Sequence, residues 1–257
     1  MIDLSGARTK LDRAQQQLLA LGHALIAFVE REPYQLVERV EPHPDGELAD
    51  YVYVVSSLRP TRPEYSVHIG EILHNFRSAL DYLVYAAATR HSWTTQFPIF
   101  HHTADWPRKS RLMLRAVPQR FVRIVEEVQP YHLENPHEHL LAKLNYLSNT
   151  DKHRLLTTTA TALSEAVPSF LPERDVAAIH DVAFNVGVLE EGQELVRLVI
   201  EPSGPHPAVA MSGVFHLAIT FRDPYPSGRE IDGQSVMRVL FDIGRYIEWL
   251  YERFRET

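Results

Sequence analysis

The sequence predicts an α+β protein in which a helical bundle is joined to an antiparallel β-sheet. Two observations lead to this fold class. Apolar residues recur every three or four positions over 64–154 and 233–254, which is typical of amphipathic helices. Apolar and polar residues alternate over 34–58 and 155–222, which is typical of strands with one buried face.

The composition is that of an ordinary globular protein, and it excludes several kinds of site. The 257 residues suffice for one large domain or two small ones, and 45% of them are hydrophobic. The formal net charge of -7 argues against a surface that coats nucleic acid broadly, although a local basic groove is compatible with it. The absence of cysteine removes disulfides, thiolate nucleophiles and cysteine-based metal sites.

We expect a cytoplasmic protein that does not enter a membrane. The N-terminal segment MIDLSGARTKLDRAQQQ lacks the basic and apolar regions of a signal peptide. No apolar run reaches the roughly 18 residues that a membrane-spanning helix requires. A reducing compartment also fits a chain without cysteine.

The first elements are predicted to be a helix and a hairpin. Apolar residues recur at helical spacing over 7–31, and Pro33 ends the helix. The runs 34–40 and 50–58 are rich in β-branched and aromatic residues, and the Asp-Gly and prolines between them favour a turn. We therefore expect an antiparallel hairpin after the first helix.

The middle of the chain is predicted to form the bundle. Its longest helix, 64–90, carries an apolar stripe along about seven turns. The short apolar run 95–100 is a strand or a loop, and helical segments bounded by prolines follow at 104–115 and 118–129. A proline then opens the last helix of the bundle, 136–154, whose leucines face inward.

The remainder of the chain is predicted to complete one sheet and to close with a helix over 233–254. One domain over 1–257 results when the hairpin and the later strands share that sheet. Two domains divided near residue 155 are the alternative, which leaves the hairpin with an exposed edge. The later strands predicted are 155–163, 179–189, 194–202 and 213–221.

Polar residues share a face of the predicted helix 64–90, next to its apolar stripe. One interpretation is an Arg77–Asp81 ion pair on a half-solvated face, worth roughly a few tenths of a kcal/mol. The other is a polar site inside the bundle, because a helix with so wide an apolar surface must be partly covered by a neighbour. The residues of this face are His74, Arg77, Ser78, Asp81 and Tyr85.

The end of the predicted helix 136–154 carries a second polar group. Such residues are common at helix C-termini, where cations meet unpaired carbonyls. In a functional site, His153 would act as general acid or base, oriented by Asp151 or Asp81. Arg77 or Lys152 would stabilise an oxyanion or a phosphate. The group comprises Asn145, Ser148, Asn149, Asp151, Lys152, His153 and Arg154.

The two polar groups together predict one candidate site. It needs no cofactor and no metal ion. Its candidate catalytic residues are Arg77, Asp81 and His153. Its candidate ligand-binding residues are His74, Asn145, Asn149, Asp151 and Lys152.

The same helices carry a resemblance to a known superfamily. The segments NFRSALDYL, TQFPIF and NTDKHR look like those of a group of uncharacterised bacterial proteins whose helical part is similar to the HEPN superfamily. The resemblance covers roughly residues 64–154. It implies a helical bundle, often dimeric, that serves as a metal-independent ribonuclease in toxin and defence systems or as a non-catalytic module that binds nucleotides or RNA.

The ribonucleases of that superfamily carry an arginine and, a few residues later, a histidine on one helix. The resemblance places Arg77 on the phosphate, but Tyr82 stands where the histidine would act on the 2′-hydroxyl. A tyrosine with a pKa of about 10 is a poor base at neutral pH. This departure favours a binding module over a nuclease, unless His153 supplies the imidazole from the other helix.

The leading hypothesis is therefore a HEPN-like, homodimeric module that binds RNA or a nucleotide in a bacterial defence or toxin–antitoxin system. One alternative is a non-catalytic interaction protein in which the polar face is a structural network. A second is a metal-binding hydrolase built on some of the 14 histidines, among which His137 and His139 alternate. The polar turn 223–233 is a candidate mobile loop at a site or a plain connection.

Overall fold

The computed structural model describes residues 2–162, 168–213, 215–223 and 230–257. In this part of the chain the fold is α+β with antiparallel sheets, as the two periods in the sequence predict. The chain divides into two compact units built from interleaved segments. The helical unit comprises Met1–Ala24, Arg62–Thr158 and Phe221–Thr257, and the sheet unit comprises Leu25–Thr61 and Thr159–Thr220.

The single domain over 1–257 stays a prediction beside this division. The hairpin and most of the later strands fall in the sheet unit, while the predicted bundle segments fall in the helical unit. The alternative prediction of two domains puts the boundary near residue 155. The chain indeed passes from the helical unit to the sheet unit between Thr158 and Thr159, but it also returns to the helical unit at Phe221.

The helices agree closely with the apolar spacing of the sequence. In α2 the predicted stripe is fully buried, as its residues Ile69, Phe76 and Leu83 show. The first helical residue of α2 is a proline, which has no N–H to leave unpaired there. The helices are α1 (Ser5–Val29), α2 (Pro63–Ala87), α3 (Arg111–Met113), α4 (Gln119–Glu127), α5 (Leu140–Asp151) and α6 (Val236–Arg255).

Two predicted helices are shorter than their spacing indicates. The segment predicted as 104–115 passes through a 3₁₀ turn and a π turn before the short α3, because Pro107 cannot donate a helical hydrogen bond. The segment predicted from residue 136 begins with a separate 3₁₀ turn, Pro136–Glu138, and α5 starts only at Leu140. The run 95–100 has no regular secondary structure.

In the helical unit, α1 and α6 both pack against α2. Gln17 donates to Glu71 across α1 and α2 at 2.9 Å. Gly244 of α6 lies so close to Phe76 of α2 that a Cβ at Gly244 would be 2.9 Å from the ring. Because Phe76 is fully buried, the ring has little room to move away. The absence of a side chain at Gly244 therefore sets how closely these two helices approach.

The four-stranded sheet joins the hairpin to later strands in the order β1-β2-β7-β5, with Tyr51 of β2 opposite Leu198 of β7. The N-terminal hairpin thus shares an antiparallel sheet with two of the later strands, β5 and β7, whereas the strands predicted at 155–163 and 213–221 correspond to β3 and β9 and lie in a different sheet, contrary to the prediction of one sheet. Two smaller sheets have the orders β6-β3-β9 and β4-β8. The strands are β1 (Tyr34–Pro42), β2 (Ala49–Leu58), β3 (Thr158–Ala162), β4 (Ser169–Arg174), β5 (Val176–Phe184), β6 (Gly187–Val188), β7 (Glu194–Pro202), β8 (Ala208–Ser212) and β9 (Leu217–Phe221).

Some strand predictions differ from the structure. The sequence does not predict the strands β4 and β8. In β4 most side chains are exposed and Pro172 interrupts the segment, so apolar and polar residues do not alternate in a way that indicates a strand. The predicted strand 179–189 is two strands, because Gly187 has a φ of 133° and interrupts the ladder. Residues 163 and 214 of two predicted strands, and 224–229 of the polar turn, lie outside the described residues.

His139 caps the start of α5. Its Nδ1 accepts a hydrogen bond from the backbone N–H of Leu141 at 3.1 Å, which requires a neutral imidazole that carries its proton on Nε2. That nitrogen lies 3.3 Å from the hydroxyl oxygen of Tyr246. Burial, assisted by the nearby His132, lowers the pKa of His139 from 6.5 to about 4. The cap is therefore sensitive to acid.

We expect the free energy of unfolding to fall as the pH drops from about 6.5 to 4, because the unfolded chain takes up the proton on residue 139 first. The stabilisation is complete above the unfolded pKa and is lost as the pH falls through the folded value. Since the ring is partly exposed, we expect about 1 to 2 kcal/mol from this group. Urea unfolding at several pH values measures it. The control is His139→Asn, which keeps a cap but does not titrate, and an identical pH dependence in that variant would contradict the assignment.

Candidate functional site

Arg77 and Asp81 hold the irregular segment that follows α2. Nη2 of Arg77 donates to Oδ1 of Asp81 at 3.1 Å and to the carbonyl oxygen of Phe97 at 2.7 Å. Oδ1 of Asp81 accepts from the backbone N–H of Phe97 at 2.8 Å. The side chain of Phe97 is fully buried. We call this arrangement the Phe97 clamp, because one ion pair satisfies both polar backbone groups of a buried residue.

Burial acts on both charges of the clamp. It lowers the pKa of Arg77 and raises the pKa of Asp81, while their mutual attraction opposes both shifts. Lys152, just beyond α5, also lowers the pKa of Asp81, so the two predicted polar groups interact electrostatically. Within the described part of the chain, Nη1 of Arg77 is buried and has no hydrogen-bond partner. The clamp therefore satisfies the guanidinium only in part.

His74 and Asp151 border a second feature, a pocket of about 480 Å³ that we call the Asp151 pocket. The carboxylate lies directly over Gly70, where a Cβ would be 2.3 Å from Oδ1. Burial raises the pKa of Asp151, and the nearby His74 opposes this effect. The glycine in the interior of α2 is the sequence signal for this contact, because glycine there costs about 1 kcal/mol of helix stability.

Asn75, which also lines this pocket, is already hydrogen-bonded to α1. The side-chain amide of Asn75 donates to Gln17 at 2.8 Å, and its oxygen accepts from Nζ of Lys10 at 3.2 Å. These bonds tie α1 to the polar side of α2. Asp151 of α5 and His74 of α2 are then the charged groups of the pocket that interact across these two helices.

Three histidines border a third feature, which we call the histidine cleft. Its volume is about 430 Å³. The rings of His101 and His137 stack with their centroids 4.8 Å apart. Burial lowers the pKa of His101, and the charges of His137 and His102 lower it further. The cleft is lined by His101, His137, Asn145, Tyr146, Asn149, Thr150, His153 and Arg154.

Asp223 positions two of the groups in the histidine cleft. Its Oδ2 accepts a hydrogen bond from the hydroxyl of Tyr146 at 2.5 Å. Nη2 of Arg154 lies 3.2 and 3.3 Å from its two carboxylate oxygens. Because the side chain of Asp223 is almost fully buried, the guanidinium at the edge of the cleft is held in place by a fixed partner.

The structure distributes the predicted site residues over these three features. Lys152 is exposed and donates through Nζ to Oδ1 of Asn149 at 3.1 Å. The other residues group as Arg77 with Asp81, His74 with Asp151, and His153 with Asn145 and Asn149.

His101 and His137 line the cleft but are absent from the candidate site predicted from the sequence, where His137 enters only the metal-binding alternative. Both lie in irregular or 3₁₀ segments, where no periodicity indicates which way a side chain faces. The only signal was the unusual number of histidines near these turns. In the described part of the chain, no group of three or more metal-ligating side chains is arranged to hold a metal ion. Nor does any helix described there combine the length and hydropathy that a membrane span requires.

Comparison of the chain with family models, with curated proteins and with solved structures found no match. The resemblance of residues 64–154 to the HEPN superfamily stays a prediction. The function of this chain is therefore inferred from the chemistry and geometry of the clefts themselves.

Proposed function

We propose that the protein is a HEPN-like module that binds RNA or a nucleotide in the histidine cleft. The observation that supports this is the placement of three imidazoles, His101, His137 and His153, together with the guanidinium of Arg154 around one cleft. Imidazolium and guanidinium groups bind phosphate through charge-assisted hydrogen bonds. The cleft also offers two asparagine amides, which suit sugar hydroxyls and base edges.

Phosphate binding and protonation are coupled in this proposal. Because the pKa of His101 is lowered from 6.5, its ring is mostly neutral at pH 7 in the empty cleft. An anion beside the ring favours the charged form. Binding is therefore best assayed near pH 6.5, where proton uptake costs less free energy.

Cleavage of RNA in the same cleft would use two imidazoles. One takes the proton of the 2′-hydroxyl as its oxygen attacks phosphorus, and the other gives a proton to the 5′-oxygen as the P–O bond breaks. The products are a 2′,3′-cyclic phosphate and a 5′-hydroxyl. His137 and His153 are the exposed imidazoles of the cleft and are the pair that a substrate reaches.

The test measures binding and cleavage separately, with a labelled oligoribonucleotide in the presence of EDTA. We expect His137→Ala and His153→Ala each to weaken binding about tenfold, because each removes a charge-assisted hydrogen bond. The matched control is His68→Ala, which removes an exposed histidine of α2 that is not among the residues of the cleft. Absence of binding by the wild-type protein would contradict the proposal. Binding without cleavage would make it a binding module alone.

A second candidate is a homodimeric interaction protein without catalytic activity. The Phe97 clamp favours it, since Arg77 and Asp81 bind the backbone of a buried residue. A stable dimer in analytical ultracentrifugation, together with no RNA binding, would support this candidate. The cytoplasmic location and the place in a defence or toxin–antitoxin system belong to the first proposal; cell fractionation tests the location, and the identity of the neighbouring genes tests the system.

A further inference from the structure

The helical unit contains another cleft, which is lined by aromatic rings. We call it the tyrosine cleft. Its volume of about 720 Å³ lies in the range of pockets that hold small organic ligands. It shares no lining residue with the histidine cleft. Its lining residues include Asp81, Tyr82, Tyr85 and His91, together with the first residues of α1.

The two tyrosines expose large ring surfaces although neighbours hold them in place. Tyr82 is 44% exposed and Tyr85 is 43% exposed. The ring of Tyr85 stacks on His91 with centroids 4.1 Å apart and planes within 14°. Tyr82 lies against Gly6, where a Cβ would come within 3.0 Å of the ring. Rings held in this way offer aromatic surface to a ligand at little cost in side-chain entropy.

The polar groups of the tyrosine cleft include both acceptors and donors. Oδ1 of Asp81 is occupied by the Phe97 clamp, and a carboxylate has a second oxygen that accepts hydrogen bonds. The start of α1 adds the N–H groups of Gly6 and Ala7, which have no carbonyl partner within the helix. Flat rings with donors and acceptors beside them are what an unstacked nucleobase requires.

The charges at the tyrosine cleft favour the base of a nucleotide over its phosphate. Asp3 and Asp81 both border it; Arg77 balances the charge of Asp81, and the carboxylate of Asp3 repels phosphate. Asp3 also accepts the backbone N–H of Ser5 at 2.9 Å, so a carboxylate already occupies the anion-binding end of α1. The ligand is therefore a planar ring with a hydrogen-bond donor and without a negative charge.

We propose that the tyrosine cleft binds a nucleobase, stacked on Tyr82 and Tyr85, with its amino group donating to Asp81. The inference rests on the proposed function in that it names the base of the RNA or nucleotide as the ligand. It uses different residues from the histidine cleft. Ligand binding at each of the two clefts can therefore be confirmed or contradicted separately.

Calorimetric titration with adenosine tests this inference. We expect Tyr82→Ala and Tyr85→Ala each to weaken adenosine binding at least fivefold, because base stacking on one aromatic ring contributes that much or more. Tyr82→Phe keeps the ring and should retain the affinity. Purine riboside, which lacks the amino group, should bind more weakly than adenosine. Phe241→Ala is the control, because it removes an aromatic ring that is 52% exposed on α6.

Unchanged adenosine affinity in both alanine variants, or no adenosine binding by the wild-type protein, would overturn the inference. Adenosine binding that is lost in His153→Ala and retained in the tyrosine variants would overturn it as well. Adenosine binding that depends on the tyrosines, in a protein that binds neither RNA nor ribose 5-phosphate, would support the tyrosine cleft and contradict the proposed function. Ribose 5-phosphate, which has no base, reports on phosphate binding alone.

Discussion

Replacement of Arg77 by alanine is expected to lower the free energy of unfolding by about 3 to 5 kcal/mol. The side chain is 19% exposed, and its removal leaves the carboxylate of Asp81 without its guanidinium partner. The carbonyl of the buried Phe97 loses its donor at the same time. Breaking a largely buried pair costs more than the intact pair contributes, because the remaining charge stays partly desolvated; the Asp81 side chain is 32% exposed, which favours the lower end of this range. For a chain of this size the melting temperature should fall by roughly 6 to 20 °C.

The chain offers a matched control for this experiment. Arg238 and Asp242 form an ion pair with the same spacing at 2.9 Å, but the arginine side chain is 79% exposed. Arg238→Ala should cost less than about 1 kcal/mol. Equal losses in the two variants would contradict a structural role for the Phe97 clamp. Loss of RNA cleavage at unchanged stability and unchanged RNA binding in Arg77→Ala would instead support the predicted catalytic role of this residue.

Replacement of Gly244 by leucine is expected to destabilise the helical unit by about 3 kcal/mol, through overpacking. Even a Cβ at this position would lie 2.9 Å from the tip of the Phe76 ring, which is fully buried. The larger side chain must push α6 and α2 apart or force the ring from its rotamer. Chemical denaturation measures the loss.

The steric origin of this effect can be tested by rescue. The double variant Gly244→Ala with Phe76→Leu removes the ring tip that meets the new Cβ. Its free energy of unfolding should exceed the value expected from the sum of the two single changes. Gly46→Ala is the control, since nothing lies within 4 Å of a Cβ there. Additive single changes would show that the helices do not meet as closely as this contact indicates.

The Phe97 clamp shows where sequence prediction of the site succeeds and where it stops. The pair of Arg77 and Asp81 is predictable because a spacing of four residues places both on one helix face. Their partner is not, because the segment around Phe97 has no regular structure and therefore no period. A surface ion pair and a buried clamp look the same in the sequence, although their expected contributions differ severalfold.

The histidine cleft and the tyrosine cleft show the same limit. Each is assembled from segments far apart in sequence, such as α5 with the turn around His101, or the start of α1 with Tyr82 and Tyr85. Periodicity selects the buried face of one element at a time. It contains no information on which exposed faces come to lie beside each other.

By itself, the sequence determined the α+β class, the approximate extents of the long helices and three strands of the four-stranded sheet, β1, β2 and β7. It could do so because the period of apolar residues is a local consequence of helix and strand geometry. Only the tertiary structure decided that interleaved segments form two units and that the predicted site residues separate into a clamp, a pocket and a cleft. These outcomes depend on contacts between distant segments, where glycines such as Gly70 and Gly244 set how closely the helices approach.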